Sequence, residues 1–178
     1  MQPTEPSTRR SFLKEGLSIA LGTAAALVPA AAGLTVILDP LRQRAGGAEF
    51  IRVASLDAIP ADGVPRKFPV LANKVDAWTK SPNVPVGAVY ISRAGEKDLK
   101  VLNVVCPHAG CFVDFVAEKK GYFCPCHNSL FAVDGKIADP KSPSPRDMDT
   151  LEFELRGGKE VWVKFRNYQA GHKEKVPV

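Results

Sequence analysis

All four cysteines of this chain and two of its three histidines fall between positions 106 and 127. They form two runs, Cys106-Pro107-His108-Ala109-Gly110-Cys111 and Cys124-Pro125-Cys126-His127-Asn128-Ser129. Each run offers a thiolate and an imidazole within one tight turn, as C-x-H in the first and C-x2-H in the second. Turns of this kind aim backbone N–H groups at a bound centre. Cys and His together suit tetrahedral zinc, and they also suit an iron–sulfur centre. Zinc sites usually begin from a C-x2–4-C knuckle, and the mixed Cys/His pairs here depart from that pattern. His172 lies apart in the polar stretch Gly171-His172-Lys173-Glu174-Lys175 and reads as a solvated side chain.

The sequence that must hold these two runs reads as β. Short β-rich stretches recur at 50–54, 67–71, 88–93, 100–105, 112–116, 122–124, 151–155 and 160–165, separated by Pro, Gly and Asp. Many alternate apolar with polar residues, as half-buried strands do. Val161-Trp162-Val163-Lys164-Phe165 follows the Gly157-Gly158 turn and reads as a closing strand. Fifteen prolines argue against long helices in this part of the chain. Residues 72–86, with Trp78 and prolines nearby, are expected to form a long irregular connection. The expected class is a small antiparallel β barrel or sandwich.

Composition narrows the function. The 178 residues amount to one domain with an appendage. Hydrophobic residues at 45% and charged residues at 24% exclude wholesale disorder. Four cysteines are too few for a disulfide scaffold that lacks a core. Lys and Arg outnumber Asp and Glu by 24 to 19, with the surplus spread along the chain. Such a balance lacks the dense basic face of a nucleic-acid binder, so no nucleic-acid partner is expected.

The N-terminus carries a separate message. Thr8-Arg9-Arg10-Ser11-Phe12-Leu13-Lys14 resembles the twin-arginine export signal, which implies export of an already folded protein. From Gly16 to Leu38 there is no charged residue. A helix over those positions rises about 35 Å, enough to cross a hydrocarbon core of about 30 Å. Ala30-Ala31-Ala32 offers a cleavage site, but the apolar run continues past it, which favours an uncleaved anchor. Asp39-Pro40 is expected to stop the helix. Residues 39–50 then read as a flexible linker or hinge, with Ala45-Gly46-Gly47-Ala48 its freest part.

The paired runs resemble the two ligand loops of the Rieske [2Fe–2S] proteins, C-x-H-x-G-C and C-P-C-H-x-S. With the β-type sequence around them the likeness covers most of residues 50–166. The resemblance implies an all-β fold: a Rieske-like antiparallel β barrel or sandwich with a small cluster-binding subdomain, preceded by one N-terminal transmembrane helix. The implied organisation is a cytoplasmic signal segment at 1–15, an anchor at 16–38, a hinge at 39–50, and a Rieske domain at 51–170. Its cluster-binding loops span 104–146, and a polar tail follows at 171–178.

The resemblance further implies one [2Fe–2S] cluster per chain, with Cys106 and Cys124 on one iron and His108 and His127 on the other. Cys111 and Cys126 match a pair that forms a disulfide between the loops in the quinol-oxidising branch, a bond that an exported compartment permits. Ser129 matches a serine whose hydroxyl donates to a bridging sulfide. Two neutral imidazoles make such a cluster less negative, with potentials of roughly −150 to +300 mV. Phe131 stands where the family usually has a tyrosine that donates to a ligand sulfur. Loss of that donor disfavours the reduced form, so a lower midpoint and a lean towards menaquinol are expected. Ala109 and Asn128 stand where Leu and Gly are commonest, and the small Ala109 shields a cluster and frames a quinone pocket less well. The Pro-rich stretch 139–146 matches a segment that covers the cluster in bc-type subunits.

Taken as a whole, the likeness implies the Rieske iron–sulfur subunit of a membrane quinol–cytochrome c reductase. Its partners would be a cytochrome b-type subunit, a quinol and a c-type cytochrome acceptor. His127 would be the catalytic group, accepting a hydrogen bond and a proton from the quinol. The implied place is the bacterial cytoplasmic membrane, crossed once, with the Rieske domain on the outer, periplasmic side. A quinol pocket needs a partner, so the chain alone is not expected to turn over quinol. The alternative is the small electron-transfer subunit of an exported oxidoreductase resembling arsenite oxidase, which shares the export signal, a C-P-H loop and a Phe at the position of Phe131. The long uncharged segment and the Pro-rich stretch favour the first reading.

Overall fold

The computed structural model describes residues 9–42, 49–75, 79–95 and 98–178. The chain divides into two units, Met1–Gly47 and Ala48–Val178.

The first unit is one helix, α1 (Arg9–Arg42). Its side chains Phe12, Leu17, Leu34 and Ile37 are exposed. Among the described residues it is the one helix long and apolar enough to cross a membrane. Pro29 sits inside it and has no N–H to give to the preceding turn. The expected stop at Asp39-Pro40 is not observed, because the helix runs on to Arg42. A proline forfeits one hydrogen bond, but its φ near −65° is itself helical, and two further residues complete the turn. Residues 39–42 of the expected linker are therefore part of α1, and residues 43–48 lie outside the described residues.

Among the described residues the second unit carries nine strands in three antiparallel sheets of three. The strands are β1 (Phe50–Ser55), β2 (Arg66–Val75), β3 (Lys80–Arg93), β4 (Leu99–Asn103), β5 (Asp114–Val116), β6 (Gly121–Cys124), β7 (Ser129–Ala132), β8 (Phe153–Arg156) and β9 (Glu160–Lys164). The sheet orders are β1-β9-β8, β2-β3-β4 and β5-β6-β7. The all-β expectation holds, and the expected strands appear at or near their places. One strand, β7, was hidden because its first residue belongs to the second ligand run.

Among the described residues, 72–75 and 80–86 are not an irregular connection. They belong to the far end of the long β2–β3 pair, which runs from Arg66↔Ile91 to Val75↔Lys80. Trp78 lies outside the described residues. The prolines are accommodated in two ways. Pro69 lies on β2, an edge strand, and Pro82 and Pro85 lie on a stretch of β3 that has no second partner. Register shifts between Val70/Leu71 and Ala72/Lys74 absorb the mismatch, and Asn83 takes φ +53 opposite the second shift.

Two cores hold the unit together. One gathers Ile59, Val70, Val89, Ile91, Val101, Leu151, Val161 and Val163. The other gathers Tyr90, Leu102, Val104, Val113, Tyr122, Phe131 and Met148, and it includes Cys106 and Cys124. The second core thus forms the floor beneath the two ligand runs.

Candidate metal centre

The first ligand run is closed by an isolated β-bridge, and the second is the turn of a hairpin. Strand β4 ends at Asn103 and leads into the first loop, 106–111. The chain returns through the Val105↔Phe112 bridge, and Val113 N–H donates to the Val104 carbonyl at 2.9 Å. Inside the loop, Cys106 N–H donates to the Cys111 carbonyl at 2.7 Å and Gly110 N–H to the Cys106 carbonyl at 3.0 Å. Gly110 holds φ +79, a left-handed conformation that glycine adopts without a Cβ penalty. The second loop is the turn of the β6–β7 hairpin, whose last pair is Cys124↔Ser129. Asn128 closes it at φ +59. That backbone explains why glycine is common there, and why asparagine, the non-glycine residue most at ease in this region, replaces it.

A disulfide between Cys111 and Cys126 ties the two loops together across 15 residues of sequence. Cys106 and Cys124 remain free thiols and are buried. His127 is exposed and His108 half-buried, with ring centroids 4.6 Å apart in an edge-to-face arrangement. The Sγ atoms of Cys111, Cys124 and Cys126 lie within 4.8 Å of one another. Two of those three are committed to the disulfide, which leaves Cys124 as the open donor of that group.

The polarity of the site is unfinished. His108 Nδ1 and Ser129 Oγ are buried without a hydrogen-bond partner among the described residues. An unpaired buried polar atom costs roughly 1–3 kcal/mol, so two such atoms in one place indicate a missing partner. Burial pushes the Cys106 thiol up, and the neighbouring Cys124 thiol adds to the rise. Without a cation the Cys106 thiol therefore stays neutral, and loading a metal centre must release its proton.

A profile of the Rieske [2Fe–2S] domain matches residues 50–154. The chain belongs to the Rieske family. A menaquinol:cytochrome c reductase iron–sulfur subunit from Geobacillus thermodenitrificans is 34% identical over 157 residues, which cover 85% of this chain and 88% of the relative. The corresponding Bacillus subtilis (strain 168) subunit is 30% identical over 156 residues, with 85% and 88% covered. Among solved structures, the cyanobacterial plasma membrane Rieske protein PetC3 from Synechocystis PCC 6803 is 22% identical, with a TM-score of 0.41 over 64% of this chain and 97% of its own.

The residues fit the [2Fe–2S] cluster that a Rieske domain carries. Two buried free thiols, one inward-facing imidazole nitrogen without a partner, a second imidazole at the surface and an orphaned hydroxyl supply the mixed Cys/His donor set. The Rieske loops thus contain Cys106, His108, Cys124 and His127 in one place, with Ser129 beneath them. Ala109 is exposed, and Phe131 is fully buried in the core that contains Cys106 and Cys124. The His172 side chain is exposed as expected, but its backbone is engaged, since its carbonyl accepts from Arg146 Nη1.

Several supporting residues escaped the sequence reading. Asn103 is buried and serves four bonds at the root of the first loop. Tyr90 places its hydroxyl between strands, donating to the Val113 carbonyl at 3.3 Å and accepting from Phe115 N–H at 3.0 Å. A signal for Asn103 was present: it is the one polar residue in Val101-Leu102-Asn103-Val104-Val105. Nothing in the sequence pointed to Arg146 and Asp149, whose pairing depends on the folded Pro-rich segment.

Proposed function

We propose that this chain is the Rieske iron–sulfur subunit of a membrane quinol–cytochrome c reductase, with menaquinol as its quinol. Cys106 and Cys124 would hold one iron, and His108 and His127 the other. The cluster, when bound, supplies one-electron acceptance from quinol and donation to a cytochrome. The observation that carries the reading is the split in exposure: both thiols are buried while His127 stands at the surface. With one His127 ring nitrogen committed to iron, the other would accept the quinol hydroxyl hydrogen bond and its proton only while it carries no hydrogen of its own; once it carries one it can only donate. The buried thiols keep water from the iron side of the site, and the Cys111–Cys126 disulfide fixes the spacing of the loops.

Sequence relatives support this reading over that of an exported oxidoreductase subunit, since two relatives alignable over 85% of the chain are named as menaquinol:cytochrome c reductase iron–sulfur subunits. Phe131 is common to both readings; within the reductase reading, the loss of a tyrosine hydroxyl there points to a lower-potential quinol. The partners would be a cytochrome b-type subunit, which completes the quinol pocket, and a c-type cytochrome. The helix α1 would anchor the chain in a bacterial cytoplasmic membrane, because a helix that is apolar all round needs a non-aqueous surrounding. The twin arginines at its start favour export of the folded domain to the outer side.

The test is a potentiometric titration of native membranes that follows the paramagnetic signal of the reduced cluster with and without a quinol-site inhibitor. The expected result is a signal whose shape or midpoint shifts with inhibitor. A signal that ignores the inhibitor and washes off with a soluble enzyme would transfer the chain to the exported-oxidoreductase class.

A further inference from the structure

The end of the chain reads as a polar tail, yet it folds back onto the first ligand loop. Its two arms pair with each other. Gln169 N–H donates to the Val176 carbonyl at 2.9 Å, and Val178 N–H donates to the Asn167 carbonyl at 3.1 Å. Tyr168 and Pro177 form an antiparallel bridge. The turn of this hairpin rests on the loop that carries His108. Gly171 N–H donates to the Pro107 carbonyl at 2.8 Å. A Cβ on Gly171 would lie 3.7 Å from the His108 carbonyl oxygen, and one on Gly110 would lie 4.0 Å from Ala170 Cβ. The loop's own two backbone bonds are both made at its base, by Cys106 and Gly110. In the Pro107-His108 peptide the His108 N–H bonds within the loop to the Cys106 thiol, while the Pro107 carbonyl receives its tie from outside the loop, from Gly171.

Two anchors keep the hairpin in place. At its root, Asn103 Nδ2 donates to the Arg166 carbonyl at 2.9 Å and to Asn167 Oδ1 at 3.0 Å, while Asn103 Oδ1 accepts from Val105 N–H at 3.0 Å. At its turn, Arg146 joins the hairpin to the Pro-rich segment. Its Nε and Nη2 grip the two Asp149 oxygens at 3.0 and 2.9 Å, and its Nη1 donates to the His172 carbonyl. The Arg146 and Asp149 side chains are 9% and 4% exposed, so this ion pair has given up hydration and depends on its geometry. Lys175 Nζ adds a contact 4.0 Å from Asp149 Oδ1 and a hydrogen bond of 3.5 Å to the Thr150 carbonyl.

We propose that the hairpin 167–178 is a clamp that positions His108, with Gly171 and Arg146 as its positioning residues. As a statement about a cluster ligand it rests on the reading of His108 as an iron ligand. Gly171 holds the peptide that begins His108, and Arg146 holds the residue after Gly171. The matched family segment ends at residue 154, so the clamp lies beyond it. Its role is to fix the orientation of the imidazole that turns Nδ1 inward.

The full-length protein in its membrane complex tests this with two variants. One ends after Ala170, which removes 171–178 and leaves Asn167 on Asn103. The other is Arg146→Lys, which keeps the charge and loses the fork. Amide hydrogen exchange at His108, Ala109 and Gly110 is expected to become roughly three- to tenfold faster in both, as befits the loss of one net hydrogen bond. Amides of β1 and β9 are expected to stay unchanged. The reduced-cluster signal is expected to persist with a displaced midpoint and a broadened line. Unchanged loop exchange together with an unchanged midpoint would overturn the clamp. If the shortened chain does not fold, Arg146→Lys carries the same readouts. If the parent protein gives no cluster signal but loop exchange still quickens, the ligand reading fails while the clamp on the loop stands.

Discussion

Ser129 Oγ is buried beside the Cys106 thiol without a well-formed hydrogen bond among the described residues, and Phe131 is fully buried two positions further along the same strand. Alternate residues of a strand face the same side, so both look into the core that contains Cys106 and Cys124. A hydroxyl added to the Phe131 ring would therefore be desolvated beside sulfur. It would gain most by donating to the more negative, reduced state. One net hydrogen bond of about 0.5–1.5 kcal/mol corresponds to roughly 20–60 mV for a one-electron couple. Phe131→Tyr is accordingly expected to raise the midpoint by that amount, measured by potentiometric titration. A midpoint that stays the same or falls would remove the argument that position 131 sets the potential. The candidate ligand residues stand out in the sequence because their types are rare and their spacing is tight. Asn103, Arg146 and Asp149 do not, since common polar residues acquire meaning only from what the fold packs against them.

At the scale of elements, the site depends on a β6–β7 hairpin that leaves no room at its root. Gly121 pairs with Ala132, and a Cβ on Gly121 would stand 2.1 Å from the Phe131 carbonyl oxygen. That obstacle is backbone, which a rotamer change cannot move aside. Gly121→Ala is expected to destabilise the folded domain by about 3 kcal/mol or more, at the upper end of overpacking costs. It should also displace Cys124, which lies three residues on in the same strand. Denaturant unfolding and cluster content measure the two effects. Full cluster content with unchanged stability would mean that the hairpin can be respaced. Alternation and punctuation located most strands, because half-buried strands imprint a period of two. The β2–β3 hairpin was misread, because Pro82 and Pro85 suggested a break that an unpaired edge tolerates. Strand β7 was hidden for the opposite reason: its first residue, Ser129, already had a role in chemistry.

For the whole molecule, the chain joins an apolar helix to a β domain that has its own cores. On the proposed reading the domain must serve two partners, a quinol pocket and a cytochrome, which a rigidly fixed head does less well than a tethered one. The sequence between the units includes Ala45-Gly46-Gly47-Ala48, where two adjacent glycines give the backbone its widest choice of φ. Replacing both glycines by proline holds φ near −65° at each and narrows that choice without touching the β domain. The expected outcome is a several-fold slower quinol–cytochrome c turnover in the assembled complex, with an unchanged reduced-cluster signal and midpoint. The paired measurement is what gives the experiment its force. A changed signal would trace the slowing to a disturbed centre, whereas unchanged turnover would show that the domain serves both partners without moving on its tether.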